Sequence, residues 1–116
     1  MKSRIILAAI VIAGLGGPAF AHAFLQHASP AAGDTLAAAP TQITLPFTEQ
    51  LEPSLSGASL TDANGRDMSV APAKVEGTTI ILKPKPLAPG DYHVAWHAVS
   101  IDAHRTEGNY SFTVKP

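Results

Sequence analysis

Asp91-Tyr92-His93-Val94-Ala95-Trp96-His97-Ala98-Val99-Ser100 is the stretch on which the fold class turns. Side chains of an extended chain alternate between two faces. Tyr92, Val94, Trp96 and Ala98 therefore line one side, and His93, Ala95, His97 and Val99 the other. An aromatic, apolar face backed by a more polar one marks a strand with one buried side.

The same pattern recurs outward from this stretch. Residues 109–114 place Tyr110, Phe112 and Val114 together, and residues 79–83 form a second clear β run, closed by the proline-spaced segment 83–90. Residues 55–61 read as a strand ended by the turn Asp62-Ala63-Asn64-Gly65, and residues 68–71 as a short strand before Pro72. In residues 42–48, Ile43, Leu45 and Phe47 alternate with polar or small neighbours. Pro46 has no N–H for a ladder, so this strand belongs at a sheet edge or carries a bulge. Residues 24–28 make a first strand, ended by Ser29-Pro30 and Gly33-Asp34, and the alanine-rich residues 35–39 have room for one helical turn before Pro40. No 3.6-residue period persists. About seven short strands separated by Gly and Pro predict an all-β fold, a small Greek-key β-sandwich in one domain. Trp96, Tyr110, Phe112 and Phe47 are its core candidates.

Residues 1–21 have the three regions of a secretory signal: Lys2 and Arg4, an apolar run from Ile5, and small residues at Ala19-Phe20-Ala21. A membrane span needs about 20 mainly apolar residues, and Gly14 to Pro18 break this run early. A cut after Ala21 leaves a domain of residues 22–116 and makes His22 its first residue. Ala21-His22-Ala23 also fits the small-x-small pattern, and a cut after Ala23 would discard His22. Loss of Lys2 and Arg4 lowers Lys plus Arg from 8 to 6 against 9 Asp plus Glu, a net charge of −3 with His neutral. Such a chain, without a basic cluster, is not built for nucleic acid. With no cysteine, the fold has no disulfides, and any metal is held by nitrogen, oxygen or thioether.

Two stretches carry candidate chemistry. A first-position His offers one ion both its α-amine and its ring Nδ1, so cleavage after Ala21 creates half of a metal site at His22. The second stretch is Asp102-Ala103-His104. In an extended segment its two side chains point the same way, about 7 Å apart along the strand. Alone, this pair is a weak signal that surface loops produce by accident. Joined to His22, it makes a set of three nitrogens and a carboxylate that suits tetragonal Cu(II), with zinc as the competitor. An α-amine holds its proton up to about pH 7.7–8.0, so affinity is expected to fall as pH drops. His97 lies close enough in sequence for a supporting role, Glu49 is by default a solvated carboxylate, and His27 and His93 read as surface or strand residues. Met68, the one methionine beyond the signal, is too little for a soft Cu(I) site. Ser100, Asp102 and His104 contain the residue types of a hydrolytic triad, but Asp102 stands between the other two, where a His must be.

With these residues in hand, the chain resembles the CopC family of periplasmic copper-binding proteins. The matches run nearly the whole length after the signal: His22-Ala23-Phe24-Leu25, Ser29 to Gly33, Leu45 to Glu49, Leu87 to Tyr92, and above all Trp96 to His104 with Gly108 beyond. The resemblance implies a cupredoxin-like, immunoglobulin-like sandwich binding one Cu(II) per chain through a histidine brace. Carried over, His22, Asp102 and His104 are the ligands, and Glu49 stands where some members place a further carboxylate. The family acts in copper resistance or homeostasis, often beside a CopD-type inner-membrane transporter. Two departures stand out. Residues 55–73 hold only Met68 and no His, unlike members with a second, methionine-rich Cu(I) site, so the chain resembles a Cu(II)-only variant of the family. Arg105 occupies the place where Pro often follows the loop His.

The expected function is thus a non-enzymatic, monomeric periplasmic carrier or buffer of Cu(II). One alternative is a histidine-brace copper oxidase of the monooxygenase kind, although Trp96, Tyr92 and Tyr110 all sit at core-type positions and leave no aromatic platform for a polymer. The other is a metal-free extracytoplasmic interaction module.

Overall fold

The computed structural model describes residues 23–116. Seven strands form two sheets. In chain order they are β1 (Thr35–Leu36), β2 (Ile43–Pro46), β3 (Gly57–Asp62), β4 (Lys74–Glu76), β5 (Thr79–Leu82), β6 (Gly90–Val99) and β7 (Arg105–Val114), with a 3-10 turn at Pro53–Leu55. One sheet has the order β1-β7-β6-β3 and the other β2-β5-β4. Only β4–β5 and β6–β7 are hairpins. Every other connection passes from one sheet to the other, as expected for a Greek-key sandwich.

The β6–β7 hairpin is the backbone of the fold, ten residues on each side from Gly90↔Val114 to Val99↔Arg105. Its inward residues follow the alternation: Tyr92, Val94, Ala98, Tyr110, Phe112 and Val114 are buried against Ile43, Leu45, Ile80 and Leu82 of the facing sheet. Each fully buried side chain of this size contributes roughly 1.5–3 kcal/mol. His93 on the opposite face is exposed, and Ala95 and His97 are half-buried. Of the four predicted core aromatics, Phe47, Tyr110 and Phe112 are buried. Trp96 is half-buried, packs against the core, and meets Phe47 edge-on at 5.1 Å. The Tyr110 hydroxyl donates to the Pro30 carbonyl at 2.7 Å. Burial, and then Asp34, push this phenol up to about 12, so it stays a donor at any physiological pH.

Pro46 does lie in an edge strand. Its edge also explains why residues 24–28 do not form the continuous strand expected of them. Thr44 and Thr48 donate to Ser29 and Phe24, and Gln26 donates to the Pro46 carbonyl at 2.7 Å. Pro46 has no N–H to return. The segment is thereby reduced to isolated bridges, Leu25↔Phe47 and Ser29↔Thr44.

Three other expectations are corrected. Residues 35–39 form no helical turn: Thr35 and Leu36 pair in parallel with Thr113 and Val114. A nucleus so short before a proline cannot recover its ordering entropy as helix, whereas the β7 edge offers bonds such as Thr113 N–H to Asp34 O at 2.8 Å. Residues 68–71 make one bridge, Ser69↔Pro84, and the strand pairing with β5 is instead Lys74–Glu76. β7 begins at Arg105, four residues before the expected start. The turn after β3 is as predicted, with Asp62 Oδ1 accepting from the Asn64 and Arg66 N–H groups and Gly65 at φ +79.

Candidate metal centre

Ser100 to His104 join β6 to β7 in a tight turn. Ala103 N–H donates to Ser100 O at 2.8 Å and Ser100 N–H to His104 O at 2.9 Å. The chain can reverse this sharply because Ala103 takes the left-handed conformation, φ +73, the bulge geometry that commonly follows a three-residue hairpin loop. The loop is also tied sideways. Ile101 N–H donates to Gln50 O, and Glu52 N–H to Val99 O. Leu51 bridges to Ser100.

This turn brings Asp102 and His104 together, with Asp102 Oδ1 and His104 Nδ1 3.4 Å apart and both side chains about half exposed. Ser100 lies beneath them, 1 % exposed, and its hydroxyl donates to Asp102 Oδ1. That bond, more than the neighbouring His104, holds the Asp102 carboxyl below the usual carboxylate range against the opposing effect of desolvation. A charged oxygen and an imidazole nitrogen therefore lie side by side on a half-exposed loop. The chain order leaves Asp102 between Ser100 and His104, so no nucleophile–base contact of a hydrolytic triad is formed.

Among the described residues, no three His, Asp or Glu side chains gather closely enough to hold a metal ion. Asp102 and His104 stand there as a pair. Glu49 is half-buried and adjoins Gln50, whose carbonyl receives the loop's Ile101 N–H, so its segment runs beside the loop. His97 stands on the outer face of the sheet with its ring over Gly57, where a Cβ would lie 3.3 Å from His97 Cε1. It joins no metal-holding group with Asp102 and His104. His93 Nδ1 lies 3.1 Å from Ser111 Oγ, and His27 is exposed.

His22, the remaining predicted ligand, lies outside the described residues, as does the proposed signal segment 1–21. The residue that follows it is firmly placed. Ala23 is fully buried, and its carbonyl accepts from Thr106 Oγ1 at 3.0 Å, two residues beyond His104. Phe24 N–H donates to Thr48 Oγ1 at 2.9 Å, and Thr48 N–H returns to Phe24 O at 3.0 Å. Sequence reasoning missed Ser100, Thr106 and Thr48 in these roles. A buried hydroxyl leaves no signature in a local pattern, and only the spacing of Ser100 from Asp102 hinted at contact.

Comparison with known proteins agrees with this architecture. Residues 25–115 match the model of the CopC domain. Copper resistance protein C of Xanthomonas campestris pv. juglandis is 43 % identical over 106 residues, covering 84 % of this chain and 83 % of the relative. The crystal structure of CopC from Methylosinus trichosporium OB3b superposes with a TM-score of 0.75 at 39 % identity, covering 82 % of this chain and 95 % of that one. PcoC, a methionine-rich copper resistance protein from Escherichia coli, superposes with a TM-score of 0.69 at 42 % identity, covering 82 % and 100 %. These relatives are named for copper and copper resistance, not for a catalysed reaction. A two-sheet sandwich, a carboxylate–imidazole pair on its hairpin loop and matches along nearly all the described residues lead to one assignment: the chain belongs to the CopC family of copper-handling proteins.

Proposed function

We propose that this protein is a periplasmic Cu(II) carrier or buffer, cut after Ala21, in which His22, Asp102 and His104 bind one ion per chain. The observation that carries the reading is the Thr106–Ala23 hydrogen bond. It ties the backbone one peptide link beyond His22 to the strand that leaves the Asp102–His104 loop. Consecutive Cα atoms are about 3.8 Å apart, so a first-residue amine and imidazole start within reach of the loop. The burial of Ala23 supports the same processing site, because a cut after Ala23 would remove a core residue together with His22.

The donor set is an amine, two imidazoles and the ionised carboxylate of Asp102, a combination that suits tetragonal Cu(II). Glu49 is the further carboxylate of this reading. Cu(I) storage is disfavoured because Met68 is half-buried and packed against the core, with no second thioether in the segment. Tyr92 and Tyr110 are buried and Trp96 is half-buried, which disfavours a polymer-oxidising role. As a monomer with an exposed site, the protein is suited to pass its ion to a CopD-type inner-membrane transporter. The reading is tested by the mass of the exported protein together with its Cu(II) spectrum. An N-terminus at His22 and a nitrogen-rich tetragonal signal, lost when one residue is added before His22, are expected. An N-terminus at Phe24, or a signal indifferent to the added residue, overturns it.

A further inference from the structure

We infer that Ser100 is a positioning residue for the copper centre, holding the Asp102 carboxylate in place for the ion from beneath the loop. This rests on the proposal that Asp102 is a ligand.

Ser100 is the one polar or charged residue in the buried class among the described residues. Its hydroxyl donates to Asp102 Oδ1 and lies 3.3 Å from both the His104 N–H and the His104 carbonyl. A hydroxyl has one proton to give and two lone pairs to receive. Donation to Asp102 with acceptance from His104 N–H uses its proton and one lone pair, and links the two residues through one atom.

The turn does not need this hydroxyl in order to close. Its reversal is already made by two backbone bonds, Ala103 N–H to Ser100 O and Ser100 N–H to His104 O, and its side by Ile101 N–H to Gln50 O. What the hydroxyl adds is restraint on a carboxylate that is otherwise about half exposed to solvent. A carboxylate held at one oxygen has lost most of its rotational freedom before the ion arrives, so less is lost on binding. Groups that orient metal ligands in this way typically change affinity by about 10–100-fold when removed.

The test is a double-mutant cycle of Ser100→Ala and Asp102→Ala in the processed protein, read by Cu(II) affinity against a competing chelator and by electron paramagnetic resonance. Amide spectra of each metal-free variant report folding independently of the ion. Ser100→Ala is expected to weaken Cu(II) about 10–100-fold with an intact fold, and to cause no further loss once Asp102 is Ala. Unchanged affinity in Ser100→Ala, beside a weakened Asp102→Ala, overturns the inference alone. An equal loss from Ser100→Ala in both backgrounds also overturns it, because the hydroxyl would then act through the loop and not through the carboxylate. If Asp102→Ala itself binds as tightly as the unaltered protein, the ligand reading fails and takes this inference with it.

Discussion

Gly108 lies directly across from Trp96 in the β6–β7 ladder, and a Cβ added to it would stand 2.6 Å from Trp96 Cζ2. The indole covers the glycine and meets Phe47 in a T-shaped contact. No real side-chain contact is that short, so Gly108 is a condition for the Trp96 position. Gly108→Ala should destabilise the fold by about 1–3 kcal/mol, the usual cost of overpacking. Thermal unfolding measures the loss. Trp96 is the single tryptophan of the chain, so its emission should shift in the folded variant. A shifted spectrum with unchanged stability would show that the ring moves aside freely.

Ala103 carries its left-handed conformation without the freedom of glycine. Ala103→Gly should therefore stabilise the metal-free protein, by about 1 kcal/mol, because the Cβ penalty of this region is removed. A lower unfolding midpoint in the variant would mean that the greater freedom of glycine in the unfolded chain outweighs that relief.

Thr106→Val keeps the shape of the side chain and removes its donor. The buried Ala23 carbonyl then loses its partner, at a cost of about 1–3 kcal/mol. Under the proposed ligand set, copper affinity should fall as well, since the chain start is no longer held beside the loop. Stability and Cu(II) titration together check this. A loss of stability with full copper affinity would detach the clamp from the metal site.

The turn after β3 makes a prediction about acid. Backbone N–H groups of Arg66 and Asn64 bond to Asp62, and with the Arg66 charge they hold its pKa below the ordinary carboxylate range. A depressed carboxyl stabilises the fold above its unfolded-state pKa, and this contribution is lost as pH falls through the folded value. Acid unfolding should therefore include an Asp62 component below the normal carboxylate range, and Asp62→Asn should flatten that part of the stability curve. An identical acid limb in the variant would refute the assignment.

Under the proposed ligand set, copper binding should weaken from mildly alkaline to mildly acidic pH, since the ion would have to displace a proton from the chain-start amine. Asp102 is not the source of that loss, because Ser100 keeps it ionised to lower pH than an ordinary carboxyl. Acetylating the α-amine of the processed protein should remove most of the dependence together with most of the affinity.

Much of the fold and half of the candidate site can be read from local chemistry. Period-two alternation is a property of any extended chain, so the inward set of β6 needs no knowledge of its partner. Pro46 belongs at an edge because it lacks a donor, and Asp62 to Gly65 turn because their own side chains and backbone freedom favour it. Asp102 and His104 are neighbours on one loop, so their pairing too is local. Tertiary structure decided the rest. Thr35–Leu36 became a strand because β7 had an open edge, and Lys74–Glu76, not residues 68–71, became a strand because it pairs with β5. The polar start of β7 joined the ladder opposite β6, which set Gly108 against Trp96 where a Cβ would clash. Ala23 met Thr106 across 83 residues. Each of these depends on a hydrogen-bond or packing partner far along the chain, and a residue's own type says what bond it can make, not which distant group will be there to make it.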